Sequence, residues 1–309
     1  LRLKAAVIGC GWFGNAHARV YRTIRNVELV AVADKNFERA KNVANGYGCK
    51  AYEDHISLLE KEDVDLLSIA VTPQYLVDIA LESIEYDVNI LLEKPLSTKL
   101  EKYEKLVQKV KKSSIVFMPG FIELFNPAYR VASDIIRKGG LGEIYNVSAR
   151  RIGRTPKRGL KWEVGVTLDL AIHEMYVLED LFGDVEIVGS YKSMVLGEPY
   201  EDVALIVLRM KNKAMGLIEV NWITPTSVRE LRVSGSKGSL KLNYKTQTVE
   251  VSYSGSLEAP YIRNEEPLKR ELEHFASSVS EGSKPYPDED FGLKVLRMTF
   301  KAVENALQI

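Results

Sequence analysis

Apolar residues come in short unbroken runs through the first 120 positions. Lys4-Ala5-Ala6-Val7-Ile8, Val27–Ala33, Val64–Val71 and Val88–Leu92 are the clearest. Cys49–Tyr52 and Ile115–Met118 add two shorter ones. Between them, Phe37–Tyr47, Ile56–Lys61, Gln74–Glu85 and Thr98–Lys111 carry apolar residues at helical spacing. Unbroken apolar strands alternating with amphipathic helices predict a parallel sheet covered on both faces. In such a sheet, ligands gather at the carboxyl ends of the strands.

After Phe121 the pattern changes. A helix is expected over Pro127–Lys138, ended by Gly139-Gly140, and a strand over Ile144–Arg151. A loop rich in Arg, Lys and Gly follows, and Val166–Phe182 has helical spacing again. Val185–Val195, Val203–Met210, Met215–Trp222, Arg229–Ser234, Leu240–Leu242 and Gln247–Ser252 then read as strands, the last of the series. Their short polar turns predict an antiparallel meander. Leu268–Ser280 and Gly292–Leu307 are expected to be the closing helices. The expected domains are therefore 1–120 and 121–309.

The first strand leads straight into Gly9-Cys10-Gly11-Trp12-Phe13-Gly14, followed by a helix from about Phe13. That is the G-x-G-x-x-G turn of a dinucleotide site. Gly9 permits the tight turn, Gly11 the close approach of a pyrophosphate, and Gly14 the packing of helix on strand. The helix N-terminus directs N–H groups and a positive dipole end at the phosphates. The second strand ends in Asp34, twenty positions after Gly14 and where an acid holds the adenosine ribose. Trp12, Phe13, Lys35, Thr72, Pro73, Glu93 and Lys94 fall on the same edge and complete the expected cofactor contacts. The Asp34 charge opposes a 2′-phosphate and favours NAD over NADP, an argument that Lys35 and Arg39 soften.

Composition narrows the function. Lys+Arg and Asp+Glu are both 42, so no global field draws nucleic acid or an anionic membrane. The sequence has no long apolar run and no signal-peptide pattern, which makes a cytoplasmic location the expectation. Two cysteines, Cys10 and Cys49, form neither a disulfide framework nor a metal site, and His and acidic residues lack metal-ligand spacing.

Three residues are candidates for chemistry. Lys94 ends a buried strand on the cofactor edge, and a lysine partly withdrawn from water there can act as acid or base. An exposed strand-end lysine is the ordinary alternative. Asp169 and His173 lie four apart on one face of an otherwise apolar helix. They read either as a structural pair or as partners in alcohol oxidation, where a base takes the hydroxyl proton as hydride leaves the same carbon. Arg150, Arg151, Arg154, Lys157 and Arg158 form a basic run that is either a solvated loop or a clamp for an anionic substrate group. His17 reads as structural beside the cofactor, and His55 and His274 as surface or capping residues.

The glycine turn with His17, Glu93-Lys94-Pro95, and Gly165–His173 together resemble the glucose-fructose oxidoreductase and inositol dehydrogenase family, Gfo/Idh/MocA, over the whole chain. The resemblance implies an N-terminal Rossmann domain and then an α/β domain with a large, mostly antiparallel open sheet. Its open face commonly builds homodimers or homotetramers, and the last helix packs back on the Rossmann domain. Lys94, Asp169 and His173 match the family's catalytic residues. Gly120–Ala128 and Ala149–Gly153 resemble the UDP-N-acetylglucosamine 3-dehydrogenase branch, which implies a nucleotide-sugar substrate, with Arg151, Lys157, Arg158, Asp169 and His173 as binding residues. Glu174 and Tyr176 depart from aspartates common in the family, and Val77 from a histidine. Other branches imply a free sugar or inositol as substrate, a regulator that senses cofactor without turnover, or a glycosidase that uses NAD transiently.

Overall fold

The computed structural model describes residues 2–154, 164–197, 199–211 and 213–309. The chain divides into two compact units, Leu1–Phe121 with Leu268–Lys294, and Ile122–Pro267 with Val295–Ile309.

In the first unit, β1 (Leu3–Ile8), α1 (Trp12–Tyr21), β2 (Val27–Ala33), α2 (Phe37–Tyr47), β3 (Lys50–Tyr52), α3 (His55–Lys61), β4 (Leu66–Ile69), α4 (Leu76–Ser83), β5 (Asn89–Glu93), α5 (Leu100–Val110) and β6 (Phe117–Gly120) alternate strictly. The six strands form one all-parallel sheet in the order β3-β2-β1-β4-β5-β6. The order reverses at β1, the topological switch point of a Rossmann fold. β1 and β4 are buried almost throughout because helices cover both faces. That is the reason their sequences are continuously apolar. Asn36 caps α2 by accepting from Arg39 N–H, and Gly48 ends it at a φ of +70°. Leu268–Lys294 adds most of α8 (Pro267–Glu281) and the start of α9 (Glu289–Glu304). Phe291 packs edge-on against Phe121, and Lys111 pairs with Asp290.

The second unit holds α6 (Pro127–Arg137), β7 (Ile144–Ile152), α7 (Ile172–Phe182), β8 (Glu186–Ser193), β9 (Val203–Arg209), β10 (Met215–Asn221), β11 (Val228–Gly235), β12 (Gly238–Asn243), β13 (Thr248–Tyr253), β14 (Ser256–Glu258) and β15 (Ala306–Gln308). Its nine strands run in the order β14-β13-β12-β11-β7-β10-β9-β8-β15. The sheet is mixed and mostly antiparallel, with β7–β10 and β8–β15 its parallel pairs. α6 and α7 pack on one face.

Three expectations need correction. The meander is broken, because β7 inserts between β10 and β11 and supplies both with backbone partners. Gln247–Ser252 is not the last strand, since β14 and β15 follow. Gly292–Leu307 is not one helix: α9 ends at Glu304, and Ala306–Gln308 becomes the edge strand beside β8. Residues 268–294 are counted with the first unit. No helix among the described residues is long and apolar enough to cross a membrane.

Candidate active site

The glycine turn between β1 and α1 has the shape a dinucleotide requires. Gly9 sits at φ +93°, and a Cβ there would lie 2.4 Å from the Ala70 carbonyl oxygen. A Cβ on Gly14 would come within 1.7 Å of the Gly9 carbonyl oxygen, so only glycine lets α1 start so close to β1. A Cβ on Gly11 would meet nothing within 4 Å, which leaves open space where a pyrophosphate approaches. Gly11 is also the N-cap of α1 and supplies no side-chain cap to its first turn. Trp12 is 74% exposed and stacks on Phe13 at 5.7 Å.

Asp34 is buried at the end of β2, and its carboxylate ties the turn together. It accepts from Cys10 N–H and Asn36 N–H, each at 2.8 Å, and from Arg39 Nη1 at 3.3 Å. A carboxylate offers about four acceptor sites, which leaves capacity for a ribose hydroxyl. Lys35 lies over the Tyr75 ring at 5.1 Å. Thr72 precedes the short turn Pro73–Tyr75 beyond β4, and its carbonyl accepts from Tyr75 N–H at 3.0 Å. These residues fit NAD, with Gly9, Gly11 and Gly14 around the pyrophosphate and Asp34 at the ribose.

Glu93 and Lys94 close β5, one strand beyond β4 on the same sheet edge. Glu93 is buried and accepts from Lys94 N–H at 3.2 Å through Oε2. Its Oε1 lies 3.1 Å from His17 Nε2. A Cβ on Gly120 would fall 2.7 Å from that same oxygen, so β6 needs glycine where Glu93 passes. Behind His17, Nδ1 meets Ser68 Oγ at 3.0 Å, and Ser68 Oγ meets Tyr21 OH at 2.8 Å. His17 is thus wholly buried in a polar chain that ends at Glu93.

In the second unit, Asp169 sits in a π-helical turn, Thr167–Ala171, that opens α7. Its Oδ2 accepts from Trp222 Nε1 at 3.3 Å. His173 follows in the first turn of α7, with Nδ1 2.9 Å from Tyr176 OH. Tyr176 OH accepts from Glu123 N–H at 3.1 Å. Trp222 and Tyr176 each contact one member of this pair, and sequence reading missed the part each plays. The departure of Tyr176 from the family's common aspartate was the one available signal.

Arg151, expected on the substrate, is buried and turned inward. Its Nε donates to Glu174 Oε1 at 2.7 Å and its Nη2 to Glu123 Oε1 at 2.9 Å, with the guanidinium over the Tyr244 ring. Burial opposes its charge, but Glu174 and Glu123 outweigh that and raise its pKa. Burial raises the Glu174 pKa, with Arg151 pulling against it. Two of its donor nitrogens, Nε and Nη2, thus go to buried carboxylates. Arg150 points to the opposite face and pairs with Glu219 at 2.6 Å. Lys157 and Arg158 lie outside the described residues.

The profile of an oxidoreductase family with an NAD-binding Rossmann fold, Gfo/Idh/MocA, matches residues 3–121, and the profile of the same family's C-terminal domain matches 129–241. The chain is 28% identical to the scyllo-inositol 2-dehydrogenase (NAD(+)) of Bacillus subtilis (strain 168), covering 92% of this chain and 88% of that protein. It is 25% identical to the UDP-N-acetylglucosamine 3-dehydrogenase of Acidithiobacillus ferrooxidans, covering 100% and 99%. A solved structure of UDP-N-acetylglucosamine 3-dehydrogenase from Acidithiobacillus ferrooxidans superposes with a TM-score of 0.88 at 23% identity, over 99% of this chain and 98% of that one, a likeness of fold. With both of its domains matched in order and the glycine turn shaped for the cofactor, the chain belongs to the Gfo/Idh/MocA family of NAD-binding oxidoreductases.

Proposed function

We propose that the chain is an NAD-dependent dehydrogenase acting on a secondary alcohol of a sugar or nucleotide sugar, with UDP-N-acetylglucosamine oxidised at C3. The observation that carries the reaction class is the placement of Lys94 at the end of β5, on the sheet edge that holds the glycine turn. Bound NAD supplies the hydride acceptor. Lys94 and His173 handle the hydroxyl proton, and Asp169 orients the substrate. Trp222 donates to one oxygen of Asp169, and Tyr176 engages Nδ1 of His173. The nucleotide-sugar reading is supported by the end-to-end match to the Acidithiobacillus enzyme. The inositol relative supports a second reading, a dehydrogenase of a free sugar or inositol.

The test is absorbance in the NADH band with NAD and a panel of polyols and UDP-sugars. Signal with UDP-N-acetylglucosamine supports the first reading, and signal only with free sugars or inositols supports the second. Lys94→Ala should nearly abolish turnover while leaving NAD binding intact. Unchanged turnover removes Lys94 from the mechanism, and NAD binding without any turnover favours a cofactor-sensing regulator. We also assign the outer face of the nine-stranded sheet to a homo-oligomer, a dimer or tetramer, on the strength of its exposed apolar side chains.

A further inference from the structure

Arg229 stands directly opposite Arg151, across the antiparallel pair β11–β7. Cross-strand partners share a face, so both side chains leave the sheet on the side where Arg151 reaches Glu174 of α7. Like charges directly opposite each other destabilise a strand pair. Arg151 is compensated by direct contact with Glu174 and Glu123. Arg229 is not. No described residue forms an ion pair or side-chain hydrogen bond with its guanidinium, and it reaches solvent.

Arg229 is exposed, yet its charge is opposed by its surroundings. Protein crowding, and after it the Arg151 charge, lower the Arg229 pKa, with Glu123, Glu174 and Asp169 offsetting part of the effect. Asp169 is thus within electrostatic reach, and it is held by Trp222, the residue that follows β10. On the inner face, β10 presents Val220 opposite Arg151, so Val220, Arg151 and Arg229 form one row across three strands. The row lies near the ends of β7 and β10, next to the proposed catalytic carboxylate. A guanidinium offers five N–H donors in a planar fork that matches a carboxylate or phosphate. Among the described residues, that fork has no acceptor.

We propose that Arg229 is the seat for an anionic group of the substrate, so that the substrate is a sugar bearing a phosphate, diphosphate or carboxylate and not a neutral polyol. This rests on the dehydrogenase reading above. An oxyanion on Arg229 supplies the missing acceptor and relieves its opposition to Arg151. Binding should therefore also raise the melting temperature of the protein.

The test uses the NAD-loaded protein and three probes: UDP, inorganic phosphate and glucuronate. Calorimetric titration and thermal shift are read for the unaltered chain, Arg229→Gln and Arg229→Lys. At least one probe should bind the unaltered chain, with affinity falling roughly 10–100-fold in Arg229→Gln, the range for hydrogen bonds to a charged group. Arg229→Lys should be intermediate, since it keeps the charge and loses the fork. Binding of UDP or phosphate alone assigns a phosphorylated substrate, and binding of glucuronate alone a sugar acid. Equal binding to all three proteins, or binding to none, overturns the seat. So does oxidation of a neutral inositol by Arg229→Gln with KM unchanged, a result that leaves the dehydrogenase reading standing. Arg229-dependent binding with no sugar oxidised keeps the seat and sinks the dehydrogenase reading.

Discussion

His17 shows how much a single side chain can be constrained by its partners. Glu93, as a carboxylate, only accepts, so His17 Nε2 carries the proton toward it. Nδ1 is then an acceptor for Ser68 O–H, and Ser68 Oγ in turn accepts from Tyr21 O–H. Burial raises the Tyr21 pKa, which keeps the phenol a donor. Every link has one consistent direction. Ser68→Ala removes the middle link and leaves Tyr21 OH and His17 Nδ1 buried without partners. The expected cost is about 1–3 kcal/mol, read from urea unfolding, with Glu93 and the adjoining Lys94 loosened. Unchanged stability would show that the chain contributes nothing. The place of His17 beside the cofactor strand was legible in the sequence, because its helix begins at the glycine turn. The inward pairing of Arg151 was not legible, because its partners, Glu123 and Glu174, are remote in sequence and no local pattern marks them. Arg229 drew no notice for the same reason: its environment is made by a cross-strand neighbour, Arg151, far away in the chain.

At the scale of elements, the strand–turn–helix that opens the chain separates two uses of glycine. Gly14 serves packing, since its Cβ would overlap the Gly9 carbonyl, whereas Gly11 faces open space. Gly14→Ala should therefore lose about 1–3 kcal/mol or more of stability through overpacking. Gly11→Ala should keep its melting temperature and weaken NAD binding, measured by titration of the folded protein. Full NAD affinity in Gly11→Ala would move the pyrophosphate elsewhere. The first unit was readable because its strands are buried on both faces and its helices carry periodic apolar stripes. Those are local signals. The second unit was readable strand by strand but not in order, because the placement of β7 between β10 and β11 is a non-local pairing that periodicity does not encode. The π-helical turn over Thr167–Ala171 was invisible for a related reason, since its apolar spacing passes for that of an α-helix.

At the scale of the whole molecule, the change of texture after Phe121 marked the division, while the return of 268–294 to the first unit was hidden, because packing partners cannot be read from a helix's own pattern. The nine-stranded sheet has helices on one face, and the other face carries a row read directly from the registers. Leu307, Tyr191 and Leu205 lie side by side across β15, β8 and β9, followed by Glu219, Arg150 and Glu230 across β10, β7 and β11. Leu217 and Met215 extend the apolar half, with Met215 and Leu307 each 63% exposed. Half of this row is what an interface core wants, and the other half, with Arg150 on Glu219, is what a polar rim wants. A second copy of the chain is the proposed occupant. The unaltered chain should then run as a dimer or tetramer by light scattering at micromolar concentration, and Leu205→Lys with Leu217→Lys should shift it toward monomer. Both substitutions lie on the outer face, away from Asp169, so the double variant should keep NAD binding. A monomeric unaltered chain, or a double variant with unchanged mass, would leave this apolar half-row exposed without a partner and end the assignment.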